Sequence, residues 1–446
     1  MSVDREQSTM SVDREQSAMS GQNDKTVRVV TLGCRLNTLE SEMIRQAAGD
    51  AGVTDAIVVN TCAVTAEAER QARQTIRKLK RENPDTPIVV TGCAAQLHSQ
   101  AFADMDEVAR VAGNAEKLNA ATLFGNAPLD NEFGGVAVSD IMAATETAPH
   151  LVSGLDGRTR AFVQVQQGCD HRCTFCIIPF ARGPNLSVSA DAIVQQVRHL
   201  VDGGHAEVVL TGVDIMSYGR ATDGEGKLGP LAARILKDVP DLKRLRFSSL
   251  DPAVMDETLF ALLADDARVM PHLHLSIQAA DDMVLKRMKR RHLAADAARF
   301  IDRARAARPD VVFGADLIAG FPTETAAMHR TTLETIEAWG LSYLHVFPFS
   351  ARAGTPAAKM PKHSGDVVRA RAEDLRGLGD RLKRQTFARL AGCESDVLVE
   401  HGRFGHSAHF APVRLAFDAP AGKIVRVRLA HDGDHLSGET IGTQAA

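Results

Sequence analysis

The sequence predicts an α/β protein with three parts: an N-terminal parallel α/β domain, a central partial (β/α)6 barrel and a small C-terminal all-β barrel. Three observations support this prediction. Short β-branched runs alternate with helical stretches from about Val27, a second series of strand and helix patterns begins at Arg160, and short alternating runs follow Leu390. Strands that alternate with helices are typical of parallel sheets, and short alternating strands are typical of antiparallel barrels.

The N-terminal domain is predicted from three apolar runs that each end in a cysteine. VRVVTLGC, AIVVNTC and PIVVTGC end at Cys34, Cys62 and Cys93, and helical stretches at about 39–51 and 66–82 separate them. Parallel strands end at the same edge of a sheet, so we expect the three cysteines to converge there. Buried cysteines also occur as small apolar core residues. Three of them at equivalent strand ends favour a shared metal site.

The central domain contains six strand candidates, fewer than the eight of a complete barrel, so we predict an open, partial barrel. Barrels of this kind bind ligands at the carboxyl ends of their strands. Glycine and polar residues stand at those ends in this chain. The strand candidates are residues 161–166, 207–210, 244–247, 273–277, 311–317 and 344–347.

The predicted domain boundaries follow changes in composition. Residues 1–25 repeat the motif MSVDREQS and lack apolar periodicity, so we expect them to be disordered. The N-terminal domain covers residues 26–125, and a weakly patterned linker covers 126–159. The central domain then covers 160–385, and the C-terminal barrel covers 386–446.

Overall composition restricts the function classes. A formal net charge of -4 does not indicate a general nucleic-acid binder, so any RNA contact must come from local basic patches. No apolar run reaches the length of a membrane span and nothing resembles a signal peptide, so we expect a cytoplasmic protein. Seven cysteines in such a protein indicate metal or redox chemistry rather than disulfides.

The most specific motif is GCDHRCTFC, in which Cys169, Cys173 and Cys176 have C-x3-C-x2-C spacing. Three thiolates can bind three irons of a [4Fe–4S] cluster and leave the fourth iron open to a small molecule. The alternative is a structural zinc knuckle with His171 as the fourth ligand. Zinc sites usually contain paired C-x2-C elements, which disfavours this alternative.

The cysteine spacing resembles the signature of the radical S-adenosylmethionine (SAM) enzymes, and the chain from about Val27 onward resembles their methylthiotransferase family. The resemblance implies a central radical-SAM domain, an N-terminal domain that binds a second [4Fe–4S] cluster, and a C-terminal TRAM domain associated with RNA binding. The matching motifs are TLGCRLN at 31–37, NTC at 60–62, TGC at 91–93, and the stretches 168–179, 272–278 and 314–322.

The resemblance also implies the cofactor-binding residues. The SAM-cleaving cluster would be held by Cys169, Cys173 and Cys176. The auxiliary cluster, which carries the sulfur to be transferred, would be held by Cys34, Cys62 and Cys93. SAM contacts are expected from the cluster loop and from the strand ends, at Phe175, Gly212, Asp214, Ser249, Gln278 and Phe349.

Basic residues are candidates for RNA contact. The densest basic run is KRMKRR at 286–291, which has two interpretations: a solvated helix face or a phosphate-binding surface. The C-terminal barrel also contains arginines. The candidates are Lys286, Arg287, Arg290, Arg291, Arg403 and Arg426.

The implied reaction is sulfur insertion at an unactivated C–H bond followed by methylation. GCRLN around Cys34 is similar to GCKVN, which is typical of the branch that modifies threonylcarbamoyladenosine beside the tRNA anticodon. We therefore predict C2 of that adenosine as the target. The implied partners are the tRNA anticodon loop, a flavodoxin- or ferredoxin-like electron donor and a sulfide source, with no membrane. The alternatives are a methylthiotransferase for a ribosomal protein and a non-catalytic iron–sulfur RNA-binding protein.

Overall fold

The computed structural model describes residues 27–125, 135–145, 158–219 and 227–441. The chain divides into two compact units. The first comprises the described part of Met1–Val152 with Gln167–Leu186 and Ser350–Ala358, and the second comprises the described part of the remainder. The segment 1–25 and most of the linker 126–159 lie outside the described residues. The domain boundaries derived from the sequence remain predictions.

The first unit contains a five-stranded sheet in which all neighbouring strands are parallel. Its elements are β1 Arg28–Thr31, α1 Arg35–Asp50, β2 Ile57–Thr61, α2 Ala66–Glu82, β3 Ile88–Gly92, α3 Cys93–Leu97, α4 Ser99–Ala103, β4 Arg110–Ala112, α5 Ala120–Phe124 and β5 Val136–Ala137. The strands lie side by side in chain order, from β1 to β5. The three β-branched runs of the sequence form β1, β2 and β3, as predicted.

Strands β2 and β3 are buried along their whole length, as expected for central strands of a parallel sheet. Ile57 and Val59 pack on one face of the sheet with Ile76 of α2. Val58 points to the other face and packs with Ile44 of α1. Successive side chains of a strand point to opposite faces, so one continuous apolar run covers both layers of helices.

Helix α1 begins at Arg35, four residues before the predicted start at 39. The side chain of Asn37 accounts for the difference. Its amide nitrogen donates to the carbonyl oxygens of Leu32 at 2.9 Å and Thr61 at 3.0 Å, which fixes the first turn of the helix to the ends of β1 and β2. Helix α3 begins at Cys93, directly after β3. The strand-to-helix junctions are therefore short.

The chain from residue 160 forms a second strand–helix series. Its elements are β6 Arg160–Gln164, β7 Gln166–Gln167, α6 Ile178–Arg182 (part of the first unit), β8 Leu186–Ser187, α7 Ala190–Asp202, β9 Glu207–Thr211, α8 Leu228–Asp238, β10 Arg244–Phe247, β11 Ser249–Leu250, α9 Glu257–Asp265, β12 His272–Gln278, α10 Asp282–Met288, α11 Ala294–Ala307, β13 Val312–Ala319, α12 Ala326–Trp339, β14 Tyr343–Pro348 and α13 Gly365–Leu390.

Two parallel sheets of the second unit contain all six predicted strands. Their orders are β10-β9-β6 and β11-β12-β13-β14. The third predicted strand is β10, and the short strand β11, which was not predicted, follows it after Ser248. Helices pack against these sheets around one apolar core that includes Leu210, Phe313 and Ile336. The predicted partial (β/α)6 arrangement is confirmed.

The C-terminal residues form a closed five-stranded barrel. Its strands are β15 Glu394–His401, β16 Phe404–Ser407, β17 Pro412–Leu415, β18 Ile424–His431 and β19 Leu436–Thr440, and they close in the order β15-β16-β17-β19-β18. The alternating runs at 396–400, 412–417 and 423–429 of the sequence predict three of these strands, β15, β17 and β18. The sequence analysis missed β16 and β19, whose sequences FGHS and LSGET are short and weakly apolar. Among the described residues, the helices are too short or too polar to cross a membrane.

Candidate functional site

Cys34, Cys62 and Cys93 lie at the carboxyl ends of three adjacent parallel strands. Cys62 and Cys93 directly follow β2 and β3, and Cys34 lies three residues after the end of β1. Cys62 and Cys93 are buried, whereas Cys34 is exposed. Burial raises the pKa of the Cys62 thiol to about 12, and the nearby charges of Cys34 and Cys93 act in the same direction. The structure thus brings together the three cysteines that the sequence predicts to converge.

Two glycines allow the backbone to approach these cysteines closely. Gly33 has a φ of 127°, and a Cβ atom there would lie 2.9 Å from the Cβ of Cys62. Gly92 has a φ of 95°, and a Cβ there would lie 2.4 Å from the carbonyl oxygen of Thr61. Only glycine adopts such conformations at little cost. Three convergent thiols, two of them shielded from water, fit an iron–sulfur cluster held by three thiolates.

A buried charged network lies beside the same cysteines, and the sequence analysis did not identify it. Arg182 donates from Nη1 to Oε1 of Glu40 at 2.8 Å, and Nζ of Lys117 lies 2.6 Å from the same oxygen. Burial alone would raise the pKa of Glu40, but the charges of Arg182 and Lys117 hold it at about 2. The carboxylate is therefore ionised at neutral pH.

Cys169, Cys173 and Cys176 lie on the loop between β7 and α6, and all three are half-buried. The backbone of this loop is fixed by hydrogen bonds. The N–H of Cys169 donates to the carbonyl oxygen of Gly183 at 3.1 Å, and that of Cys176 donates to Cys173 at 3.1 Å. Phe175 lies on the same loop and is also half-buried. Three accessible thiols on one fixed loop fit a cluster with an open iron.

The other predicted SAM contacts lie at carboxyl ends of strands in the second unit. Gln166, which the sequence analysis did not single out, fixes one of these ends. Its side-chain oxygen accepts from the N–H groups of Val213 at 3.0 Å and Asp214 at 2.8 Å. Gly212 and Asp214 follow β9, Ser249 begins β11, Gln278 ends β12 with a φ of 70°, and Phe349 follows β14.

Asp251 is the centre of an ionic cluster in the second unit. Its carboxylate lies 2.9 Å from Nη2 of Arg291, 3.5 Å from Nη2 of Arg290 and 3.4 Å from Nδ1 of His292. Burial would raise the pKa of Asp251, but the adjacent His292 ring and the arginine charges hold it well below its usual range. Two of the predicted RNA-binding arginines thus contact a mostly buried carboxylate.

The other predicted RNA-binding residues differ in exposure, and Arg287 is half-buried. Lys286 is exposed, and Arg287 donates to the carbonyl oxygen of Thr323 at 2.9 Å. In the C-terminal barrel, Arg403 and Arg426 have more than half of their side-chain surface exposed. Both face carboxylates on neighbouring strands or loops. Ion pairs at such exposed positions are weak and can be exchanged for a phosphate contact.

A second polar cluster that the sequence analysis missed lies on β12, β13 and β14. Asp316 and His345 are paired in register, and Nε2 of His274 lies 2.9 Å from Oδ1 of Asp316. Nδ1 of His345 lies 3.3 Å from the same oxygen. Burial alone would raise the pKa of Asp316, but the adjacent His274 and His345 hold it well below its usual range. The cluster thus places two imidazole rings around one carboxylate.

Comparisons with known proteins agree with these features. Residues 163–336 match the radical SAM superfamily, and residues 26–113 match the uncharacterized protein family UPF0004. A threonylcarbamoyladenosine tRNA methylthiotransferase, MtaB, of Rickettsia prowazekii is 47% identical over 92% of this chain and 96% of its own length. A tRNA-2-methylthio-N(6)-dimethylallyladenosine synthase of Cereibacter sphaeroides is 34% identical over 93% of this chain and 98% of its own length.

A protein with a solved structure has a similar fold. The radical S-adenosylmethionine methyltransferase TsrM from Kitasatospora setae, with cobalamin and a [4Fe-4S] cluster bound, has a TM-score of 0.54 to this chain at 15% identity. The similarity covers 75% of this chain and 77% of TsrM. At this level of identity the comparison shows the fold alone.

The partial barrel and the C-x3-C-x2-C loop define a radical-SAM enzyme. This class uses SAM and a [4Fe–4S] cluster, and its methylthiotransferases carry two clusters. High identity along nearly the whole chain then places the protein more narrowly: it belongs to the radical-SAM tRNA methylthiotransferases. The comparisons do not favour the zinc-knuckle, ribosomal-protein or non-catalytic alternatives.

Proposed function

We propose that this enzyme inserts sulfur at C2 of N6-threonylcarbamoyladenosine beside the tRNA anticodon and methylates it, which gives the 2-methylthio derivative. The observation that carries the proposal is the convergence of Cys34, Cys62 and Cys93 in the same compact unit as the C-x3-C-x2-C loop. The choice of nucleoside is supported by the 47% identical Rickettsia relative and by the GCRLN motif.

Two sets of thiols have separate roles in this proposal. Cys169, Cys173 and Cys176 hold the cluster that binds SAM, and Cys34, Cys62 and Cys93 hold the auxiliary cluster. When bound, SAM and the two clusters supply the hydrogen-abstracting radical, the sulfur and the methyl group. The protein contributes ligation, orientation and exclusion of water.

The strand ends of the second unit support the proposal that they bind SAM. Gly212 packs closely against Gln166, because a Cβ there would lie 2.7 Å from the carbonyl oxygen of Gln166, and this contact fixes the end of β9 beside the end of β6. Asp214 accepts a hydrogen bond from Ser217 at 2.6 Å, which orients its carboxylate. The remaining proposed contacts in this unit are Ser249, Gln278 and Phe349, and Phe175 is proposed from the cluster loop.

Binding of tRNA is proposed to use exposed basic side chains. Lys286, Arg403 and Arg426 can neutralise phosphates, because they lie at the surface of the second unit. Arg287, Arg290 and Arg291 remain proposed contacts, although the last two must share their charge with Asp251. We further propose a flavodoxin- or ferredoxin-like electron donor, a sulfide source and a cytoplasmic location, where tRNA is modified.

Nucleoside analysis tests the proposed substrate. The reconstituted enzyme is incubated anaerobically with SAM, reductant, sulfide and one of two tRNAs, which carry either threonylcarbamoyladenosine or dimethylallyladenosine. Digestion and mass spectrometry should show a 2-methylthio product only with the first tRNA. The second tRNA is the matched control, because relatives at 34% identity are named for the dimethylallyl nucleoside. A product formed only with dimethylallyladenosine would refute the substrate assignment.

A further inference from the structure

Three ionisable side chains with almost no exposure to water lie together in the first unit. Glu40 is 1% exposed, Lys117 is 1% exposed and Arg182 is 2% exposed. Arg182 contacts both carboxylate oxygens of Glu40, at 2.8 and 3.1 Å, and Lys117 lies 2.6 Å from Oε1. Burial of charge is costly unless it is compensated. The charges of this buried network must therefore be compensated by groups close to it.

Two asparagines connect the cations to the cysteines. Lys117 donates to Oδ1 of Asn114 at 2.7 Å, and Nδ2 of Asn114 donates to Sγ of Cys93 at 3.8 Å. On the other side, Arg182 donates to Oδ1 of Asn37 at 2.8 Å. The thiol of Cys34 lies 3.5 Å from that oxygen. Each cation is thus one amide group away from a proposed cluster ligand.

The charges of the network do not cancel. Burial lowers the pKa of Lys117, whereas its contact with Glu40 favours the charged form. In the part of the chain that the structure describes, Lys117 and Arg182 share the single carboxylate of Glu40, so the network carries one positive charge in excess when both cations are protonated. Three thiolates around an oxidised [4Fe–4S]2+ core carry one net negative charge. Addition of one electron from the donor gives [4Fe–4S]+ and a second negative charge. Buried positive charge beside the cluster favours the reduced form, and buried negative charge disfavours it.

We infer that Lys117, Arg182 and Glu40 set the reduction potential of the cluster held by Cys34, Cys62 and Cys93. The inference rests on the proposed function, because it requires the auxiliary cluster. The three residues act through charge and, on the Cys93 side, through the amide group of Asn114, which donates to the sulfur. They are not cluster ligands. Their effect is on the electron affinity of the cluster rather than on its assembly.

The test isolates the auxiliary cluster in a full-length variant in which Cys169, Cys173 and Cys176 are replaced by alanine. Electron paramagnetic resonance at a series of solution potentials gives the midpoint potential of the remaining cluster. Lys117→Met in this background removes a positive charge and should shift the midpoint to more negative values. Glu40→Gln removes the negative charge and should shift it to more positive values.

Two further variants separate charge from packing. The double variant Glu40→Gln/Lys117→Met restores the original net charge, so its midpoint should return toward that of the background. Lys78→Met removes a lysine whose side chain is 67% exposed, and it should leave the midpoint unchanged. If the substitutions only damaged packing, both single variants would shift the midpoint potential in the same direction. The double variant would then shift the midpoint further from that of the background.

The possible outcomes distinguish this inference from the proposed function. If the background variant contains no iron and sulfide, the auxiliary cluster does not exist, and the proposed function fails together with the inference. If the cluster is present but the two single variants do not shift its midpoint in opposite directions, the inference alone is overturned. Opposite shifts that cancel in the double variant support it.

Discussion

Replacement of Gly168 by alanine should disrupt one of the two cysteine sets and leave the other intact. Gly168 precedes Cys169 and has a φ of 68°. A Cβ there would lie 1.7 Å from the carbonyl oxygen of Pro184 and 2.6 Å from that of Gly183. Nonbonded carbon atoms are optimally about 3.5–4.0 Å from their neighbours. In Gly168→Ala, the Gly183–Pro184 backbone must therefore retreat, which breaks the hydrogen bond from Cys169 to Gly183.

The energetic cost of this substitution has two parts. A left-handed conformation costs an alanine about 1–2 kcal/mol. Displacement of a packed backbone costs about 1–3 kcal/mol more. The total of about 3 kcal/mol falls on the loop that carries Cys169, Cys173 and Cys176, whereas the sheet that carries the other cysteine set is unchanged. We expect Gly168→Ala to lose the SAM-cleaving cluster and to keep the auxiliary one.

Iron content and 5′-deoxyadenosine release measure these effects on the anaerobically reconstituted variant. Iron should fall from about eight to about four per chain, and SAM cleavage should be lost. Gly204→Ala is the matched control, because Gly204 has a φ of 93° but a Cβ there meets no described atom within 4 Å. It should keep full iron and SAM cleavage. If Gly168→Ala also kept both, the reasoning about the cluster loop would be wrong.

Two further predictions concern single side chains. Cys173→Ala should abolish 5′-deoxyadenosine formation. Cys62→Ala should keep SAM cleavage but stop sulfur insertion. Methylthiolated nucleoside formed by Cys62→Ala would disprove the auxiliary-cluster assignment. Asp251→Asn should destabilise the fold by about 3 kcal/mol, because it leaves Arg290 and Arg291 without their buried carboxylate; denaturant unfolding measures this. The pKa of Asp251 is lowered in the folded state, so its stabilisation is complete above an unfolded-state pKa of about 3.9 and is lost as pH falls below it. A wild-type stability that did not fall more steeply than that of Asp251→Asn in acid would contradict this account.

The N-terminal sheet and the central barrel could be predicted because most of their strands, such as β2, β3 and β9, are buried on both faces. Continuous apolar runs such as AIVV at 56–59 identify a central parallel strand. The convergence of Cys34, Cys62 and Cys93 followed from topology alone, since each cysteine comes after such a strand. These features depend on local sequence and on general rules of chain connection.

The buried charges could not be predicted in the same way. Charged residues are normally exposed, and their partners here are distant in sequence: Glu40 and Arg182 are 142 residues apart. One signal was present. Glu40 lies four residues after Leu36 and four before Ile44 on α1, which places it on the apolar stripe of the helix. A carboxylate in that stripe requires a buried cation, although the sequence does not identify which one.

The contacts of the basic run at 286–291 also could not be predicted from the local sequence. The sequence offered a solvated helix face or a phosphate-binding surface. The structure adds a third role for part of the run, because Arg290 and Arg291 face Asp251, about 40 residues earlier. Strands β16 and β19 were missed for a different reason. Their burial comes from closure of the C-terminal barrel rather than from apolar alternation in FGHS and LSGET.

Iron and sulfide analysis with Mössbauer spectroscopy tests the central claim of two separately ligated clusters most directly. The anaerobically reconstituted protein should contain about eight irons as two [4Fe–4S] clusters. Replacement of Cys34, Cys62 and Cys93 by alanine should leave about four irons, and so should replacement of Cys169, Cys173 and Cys176. About four irons in the unaltered protein and in the Cys34/Cys62/Cys93 variant alike would mean that the N-terminal cysteines hold no cluster, and the methylthiotransferase mechanism would be contradicted.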